Sequence, residues 1–417
     1  MSTEVRNIVV LGGSWAGLSA AHYTLKHILP KLADRDQYHV YLINNSPDFY
    51  WRVAGPRAAV SAQLMPDDKV LYPIAPGFAQ YDSKHFTFIV GTATAWDTTT
   101  RTLTLDTAGG QQQVLPYHAL VVATGTRTPT PLLSLHASAE ETKSELCKIR
   151  TELTSAQTVL IAGGGPAGVE TAGEVGELLN GSPGWFSSGP KNRKATITVV
   201  TADSKLLPAL RPALASKAEL FLAKVGVDVK KNVRVESATP AADGQTSVSL
   251  SNGETQLVDV YIAATGVKPN TAFVPARLLT ERGYLTTNTQ TLRVDGAGPR
   301  VFALGDVGSY TRGGIMDIYD AVPVAMTNLA RDLAAFSPDK PDAAPPAGPD
   351  RTFTPNLKET QLVPVGQSKG VGAVFGWKLP SFMVWAIKGR DYMVSSAGSI
   401  LEGSKWAKES SWKPTDS

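Results

Sequence analysis

Asn7-Ile8-Val9-Val10-Leu11, then Gly12-Gly13-Ser14-Trp15-Ala16-Gly17, then an Ala- and Leu-rich run from Leu18 to Leu29 that stops near Pro30: this stretch decides the fold. The β-branched run reads as a buried parallel strand, and the run after the glycines reads as a helix. Strand, tight glycine turn and helix make a dinucleotide-binding unit. The turn brings backbone N–H groups and the positive end of the helix against a pyrophosphate. Ser14 stands at the middle glycine of the G-x-G-x-x-G pattern and is small enough for close approach. Tyr38–Ile43 reads as the second strand, and its tip carries Asn44-Asn45 where such units often place an acid for ribose hydroxyls. An amide can bond a hydroxyl as well, so Asn44 is the candidate ribose contact.

The pattern comes twice. Gln157–Ala162 forms another apolar strand and feeds Gly163-Gly164-Gly165-Pro166-Ala167-Gly168-Val169-Glu170, a full G-x-G-x-x-G at a strand-to-helix junction. The strand that follows, Ala195–Val200, ends at Thr201-Ala202-Asp203 with no carboxylate at its immediate tip, which leaves both NADH and NADPH open. Two fingerprints predict two dinucleotides. Leu120–Val122 runs into Ala123-Thr124-Gly125, and Val260–Ala263 into Ala264-Thr265-Gly266. Both resemble the strands that return the chain between the domains of two-dinucleotide flavoenzymes. Arg300–Asp306 resembles the second FAD motif of those enzymes, which implies Gly305 and Asp306 at the flavin, with the Asp accepting from a ribityl hydroxyl. Without that resemblance the stretch is a strand followed by a Gly-Asp turn.

At 417 residues the chain exceeds one comfortable core and predicts two or three domains. With 42% hydrophobic and 18% charged residues it has the composition of a globular protein. A formal net charge of +3 with scattered Lys and Arg, in runs no longer than the Lys191–Lys194 and Lys230–Lys231 clusters, does not favour nucleic acid as a partner. The single cysteine, Cys147, excludes an intrachain disulfide and a redox-active dithiol, so electrons leaving a flavin pass directly to an acceptor. Its helical surroundings suggest a partly buried structural thiol. The opening Met1-Ser2-Thr3-Glu4 has neither signal-peptide character nor a glycine for myristoylation. No apolar run is long enough to span a membrane, so the expectation is a cytoplasmic protein, at most peripheral on a membrane surface. No His/Cys/Asp cluster has metal-ligand spacing, and no metal is expected.

With these motifs in place the chain resembles the apoptosis-inducing-factor-like flavoproteins, especially the ferroptosis-suppressor branch, with type II NADH dehydrogenases more distant. The resemblance covers nearly the whole chain. It is most specific in Val363–Gly372, like that branch's Gly-rich hairpin, and in Lys388-Gly389-Arg390-Asp391, like its Lys-x-Arg-Asp segment. It implies FAD as cofactor, NADH or NADPH as hydride donor and a quinone as acceptor. The fold implied is α/β: two Rossmann-like domains, the NAD(P) domain inserted in the FAD domain, plus a small α+β C-terminal module. The expected boundaries are 1–135 and 273–337 for the FAD domain, 136–272 for the NAD(P)H domain, 338–355 for an exposed Pro- and Ala-rich linker, and 356–417 for the module.

Hydride transfer needs the nicotinamide stacked on the flavin, so the reaction belongs between the domains. Gly12 to Gly17, Asn44, Ala123 to Gly125, Gly305 and Asp306 are the expected FAD contacts. Gly163, Gly165, Pro166, Ala167, Gly168, Glu170 and Gly266 are those for NAD(P)H. Glu170 reads as favourable charge in the first turn of its helix, while the resemblance places it at the nicotinamide–flavin contact. Lys388 reads as a snorkelling lysine, while the resemblance puts it near the flavin, where it would steady reduced flavin or polarise a quinone. Arg57 is either a surface arginine or, by resemblance, a contact near the flavin phosphates. The apolar run Phe375–Ile387 is expected to be buried, sealing the FAD domain or a homodimer interface. Its alternative is a bilayer contact with Lys378, Lys388 and Arg390 at the headgroups. Rival readings keep the flavin and change the acceptor (oxygen, a redox protein or a biosynthetic intermediate), or replace turnover by a redox-sensing role.

Overall fold

A seven-stranded sheet receives its strands from two distant parts of the chain. In the computed structural model, which describes residues 5–182, 189–190, 193–339 and 348–413, Val301–Ala303, Ala119–Val122, Arg6–Leu11, Tyr38–Asn44 and Phe86–Asp97 lie side by side and parallel. Thr102–Thr107 and Gln112–Pro116 extend that sheet antiparallel. Ile8, Val9 and Val10 are fully buried, as strands covered on both faces require. The helix Trp15–Tyr23 has all nine residues buried, between this sheet and the long helix Ile315–Ala334. Both of its faces are covered, which is why its sequence is apolar all round except for Ser19 and His22, the latter paired with Tyr81 and the Leu401 carbonyl.

Between Ala119–Val122 and Val301–Ala303 the chain builds a second sheet. Val227–Lys230, Thr196–Val200, Thr158–Ala162 and Val260–Ala263 are parallel, and an antiparallel trio from Val235 to Val258 lies alongside. The second unit is thus inserted into the first, the α/β arrangement expected. Thr126–Arg127 pairs antiparallel with Lys268–Pro269 where the chain crosses between the two. Asn270 ties the crossing by donating its Nδ2 to the Thr124 carbonyl at 2.8 Å. After the long helix the chain forms a meander of Gln361–Val365, Lys369–Val374 and Trp377–Lys378. The meander packs on the helix Pro166–Asn180, so closely that a Cβ on Gly173 would lie 2.6 Å from the Gly366 nitrogen.

The structure differs from the sequence-based expectation at three places. Cys147 is exposed: its helix Ala139–Leu153 turns Thr142, Leu146, Ile149 and Leu153 inward, and the position after Leu146 faces solvent. The run Phe375–Ile387 is not sealed within the chain: Trp377 is 79% and Phe382 68% exposed, while Val384 alone of that short helix is fully buried. The 338–355 segment is no exposed linker in its latter part, where Asp350 pairs with Arg293 and with Arg331, and Phe353 is buried. Residues 340–347, like Met1–Glu4 and Lys191, lie outside the described residues.

Candidate active site

A cavity of about 1180 Å³ opens where the two parallel sheets and the C-terminal meander meet. That exceeds the ~300–1,000 Å³ typical of a site for one small ligand. The first wall is the N-terminal glycine loop, with Gly12, Gly13, Ser14, Trp15 and Ala16 lining it beside Asn44, Ala123, Thr124, Gly125, Gly305 and Asp306. The loop has no room on its inner side. Gly12 has φ +111, and a Cβ there would lie 2.3 Å from the Ala123 carbonyl oxygen; one on Gly17 would lie 1.7 Å from the Gly12 oxygen. Ser14 extends into the helix without a side-chain cap, and no acid stands in the first turn. The first N–H groups are therefore left for an anion, as a pyrophosphate cradle needs.

The second loop repeats the solution. Gly163 has φ +123 with its would-be Cβ 2.3 Å from the Ala264 oxygen, and Gly168 would meet the Gly163 oxygen at 2.0 Å. Gly165 faces open space. Behind Gly13 stands Asn44, and behind Gly164 stands Thr201, so Thr201 is the structural counterpart of Asn44. Pro166, Ala167 and Glu170 reach the cavity, whereas Gly163, Gly165, Gly168 and Gly266 do not line it and remain at the end of the second sheet. Gly17 likewise stays behind its loop.

The third wall is the C-terminal module, with Leu362, Val374, Ile387 and Lys388. Lys388 Nζ donates to Glu170 Oε1 at 2.5 Å and to the Leu362 carbonyl at 3.2 Å. Glu170 is only 3% exposed. Burial pushes its carboxyl up to about 7, against the opposing pull of Lys388. It is the fifth residue of its helix, past the first turn, so simple complementarity to the helix end explains little of its placement.

Arg57 departs from expectation. It does not line the cavity; its guanidinium is spent on Glu174, at 2.8 Å from Nη2 to Oε1, and on the Gly389 carbonyl at 2.8 Å. A buried carboxylate and the backbone carbonyls of Gly389 and Arg390 satisfy it internally, leaving nothing for a phosphate. Asn44 lines the cavity, but its Oδ1 already accepts from the Gly13 N–H and its Nδ2 donates to the Ser46 carbonyl. Arg52, Arg127 and Tyr319, which no sequence motif marks, also line the cavity, and Arg52 donates to the Thr126 carbonyl. Behind Trp15, Trp51 packs with ring centres 4.4 Å apart and ring planes tilted by 38°. A lone arginine or tryptophan carries no spacing signature by which to find it.

Residues 6–327 match the family model of the pyridine nucleotide-disulphide oxidoreductases. The chain belongs to that family. Across 98% of its length it is 46% identical to oxidoreductase phnG of Penicillium herquei, covering 99% of that protein. It is 26% identical to ferroptosis suppressor protein 1 of Taeniopygia guttata, over 94% of each chain. Its fold matches the sulfide:quinone oxidoreductase of Aquifex aeolicus with a TM-score of 0.68 and 17% identity, over 96% of this chain and 92% of that one. As a pyridine nucleotide-disulphide oxidoreductase the chain is a flavoprotein that uses FAD and a nicotinamide nucleotide. The glycine loops, with their cleared inner faces and uncapped helix ends, fit two such nucleotides. The family's dithiol chemistry is closed to it, since Cys147 is its one cysteine.

Among the described residues no helix is long and apolar enough to cross a membrane.

Proposed function

We propose that this flavoenzyme oxidises NADH or NADPH and reduces a quinone: NAD(P)H, one proton and quinone become NAD(P)+ and hydroquinone. The observation that carries this is the Lys388–Glu170 pair, which sits in the wall of the shared cavity beside apolar residues of the C-terminal module. Bound FAD supplies the two-electron relay between donor and acceptor. Gly12 to Ala16, Ala123 to Gly125, Gly305 and Asp306 hold FAD, with Gly17 keeping the loop closed. Arg52 and Arg127 bring positive charge to the same cavity. Gly163, Gly165, Gly168 and Gly266 hold the far part of the nicotinamide nucleotide, and Pro166 and Ala167 its approach to the flavin. Thr201, uncharged, stands where a carboxylate would repel a 2′-phosphate, so NADPH is accepted as well as NADH. The domain limits of 1–135, 136–272, 273–337 and 356–417 suit this division of labour.

Lys388 Nζ hydrogen-bonds a quinone oxygen, and Glu170, buried and close to neutrality in its titration, restores the proton. The apolar side chains Leu362, Val374 and Ile387 suit a quinone ring. Ile387 is also 44% exposed and joins the cavity to Trp377 and Phe382 outside. We place that exposed face, flanked by Lys378 and Arg390, on a membrane surface from which a lipophilic quinone enters. Lys388→Met, prepared with full flavin, tests the acceptor role. Its reoxidation by a short-chain ubiquinone should slow by roughly 100-fold or more, the usual contribution of a positioned general acid. Reoxidation at the unmodified rate rules out Lys388 as the quinone contact.

A further inference from the structure

The helix Pro166–Asn180 carries three glutamates, Glu170, Glu174 and Glu177, spaced by four and three residues. That spacing sets them on one face, and each engages the C-terminal module. Glu170 holds Lys388 Nζ, and Glu177 Oε2 accepts from the Gln367 N–H at 2.7 Å. Glu174 is 2% exposed and gathers donors from two other parts of the chain. Arg57 donates Nη2 at 2.8 Å and Nε at 3.1 Å, and the Tyr392 hydroxyl donates at 3.1 Å. Arg57 Nη1 then reaches the carbonyls of Gly389 at 2.8 Å and Arg390 at 3.1 Å, the two residues that follow Lys388. Trp51 Nε1 donates to the Tyr392 carbonyl at 2.9 Å.

The backbone held in this way is under strain. Trp385–Gly389 is a π-turn, and Tyr392 and Met393 are consecutive non-glycine residues at φ 50 and 61. Such conformations persist only where the surroundings over-determine them. Arg57, Glu174 and Tyr392 supply that restraint from the first sheet's unit, the second unit and the module itself.

We infer that Arg57, Glu174 and Tyr392 form a three-way clamp whose work is to position Lys388 against Glu170 at the cavity wall. They are positioning residues, and the inference rests on the proposed role of Lys388 and Glu170 in quinone reduction. The clamp also explains why Arg57 is not available to a phosphate.

Arg57→Lys keeps the charge but loses the planar fork and with it the carbonyl contacts; Tyr392→Phe removes only one hydroxyl. Both are compared, as flavin-loaded enzymes, with Lys388→Met. The groups that face Glu170 are Lys388, Glu174, Arg57 and Tyr392. When Lys388 drifts away, burial and Glu174 are opposed only by the positive charge at position 57, so Glu170 must titrate at higher pH. The midpoint is read from the quinone reduction rate and, separately, from the visible flavin band as pH is varied. Arg57→Lys should lower kcat for quinone roughly 10-fold, a displacement effect, and both variants should raise the midpoint towards that of Lys388→Met. Restored function in neither midpoint nor rate is expected from raising quinone concentration, because the loss is in kcat. A purely structural clamp would lower thermal stability and leave the midpoint of the loaded fraction in place. An unmoved midpoint in Tyr392→Phe and in any folded Arg57→Lys, with Lys388→Met shifted, overturns the inference. An unmoved midpoint and rate in Lys388→Met itself refute the underlying reading instead, and the clamp with it.

Discussion

A methyl group on Gly17 has nowhere to go, because the Gly12 carbonyl oxygen already occupies its place. Gly17→Ala must open the turn that shapes the first nucleotide cradle, and overpacking of that kind costs about 1–3 kcal/mol. The purified variant should therefore bind FAD roughly 5-fold to 100-fold more weakly in a titration of the apoprotein; affinity equal to the parent's would show that the loop does not hold the cofactor. Such positions are legible in a bare sequence because a backbone constraint selects one residue type at fixed spacing. Arg57 and Glu174 are another matter. They stand 117 residues apart, and Lys388 meets Glu170 across 218. Nothing local marks such pairs, so Arg57 could be noticed and its purpose still misread. Asn44 shows the intermediate case: the position is readable from the strand tip, but its bond to the Gly13 N–H depends on how tightly the loop packs.

At the scale of elements, strand–loop–helix units are written in runs of a dozen residues, and both glycine units form where the pattern puts them. The C-terminal meander is harder. Its apolar residues carry no period that separates a buried face from an exposed one, and a short helix passing into a π-turn sends Val384 inward and Phe382 and Trp385 outward. The segment after 347 misleads for a different reason: its Pro-rich composition suggests a linker, yet Asn328, fully buried in the long helix, donates to the Arg351 carbonyl and accepts from its N–H. The exposed face of the meander makes its own prediction. Trp377→Ser combined with Phe382→Ser should weaken binding to vesicles containing anionic phospholipid, read by sedimentation, by roughly 100-fold or more, since each buried aromatic contributes on the order of 2 kcal/mol. Equal binding by the double variant would remove the membrane from the account.

For the molecule as a whole, insertion of one dinucleotide unit into another brings two glycine loops to the same region, and the module completes the third side. Each unit uses its glycine loop on the same backbone plan, but they differ in what they present to the cavity: the first gives the loop itself, the second gives Pro166, Ala167 and Glu170. That asymmetry suits a cofactor held by one unit and a donor that reaches in from the other. It is tested most directly by the visible spectrum of the flavin-loaded protein, followed without oxygen through addition of NADH or NADPH and then of a short-chain ubiquinone. Prompt bleaching by the nucleotide and rapid return of the oxidised band with quinone are expected. Bleaching that quinone does not reverse would rule out quinone as the acceptor, and a flavin that neither nucleotide bleaches would rule out hydride transfer from NADH or NADPH to the flavin.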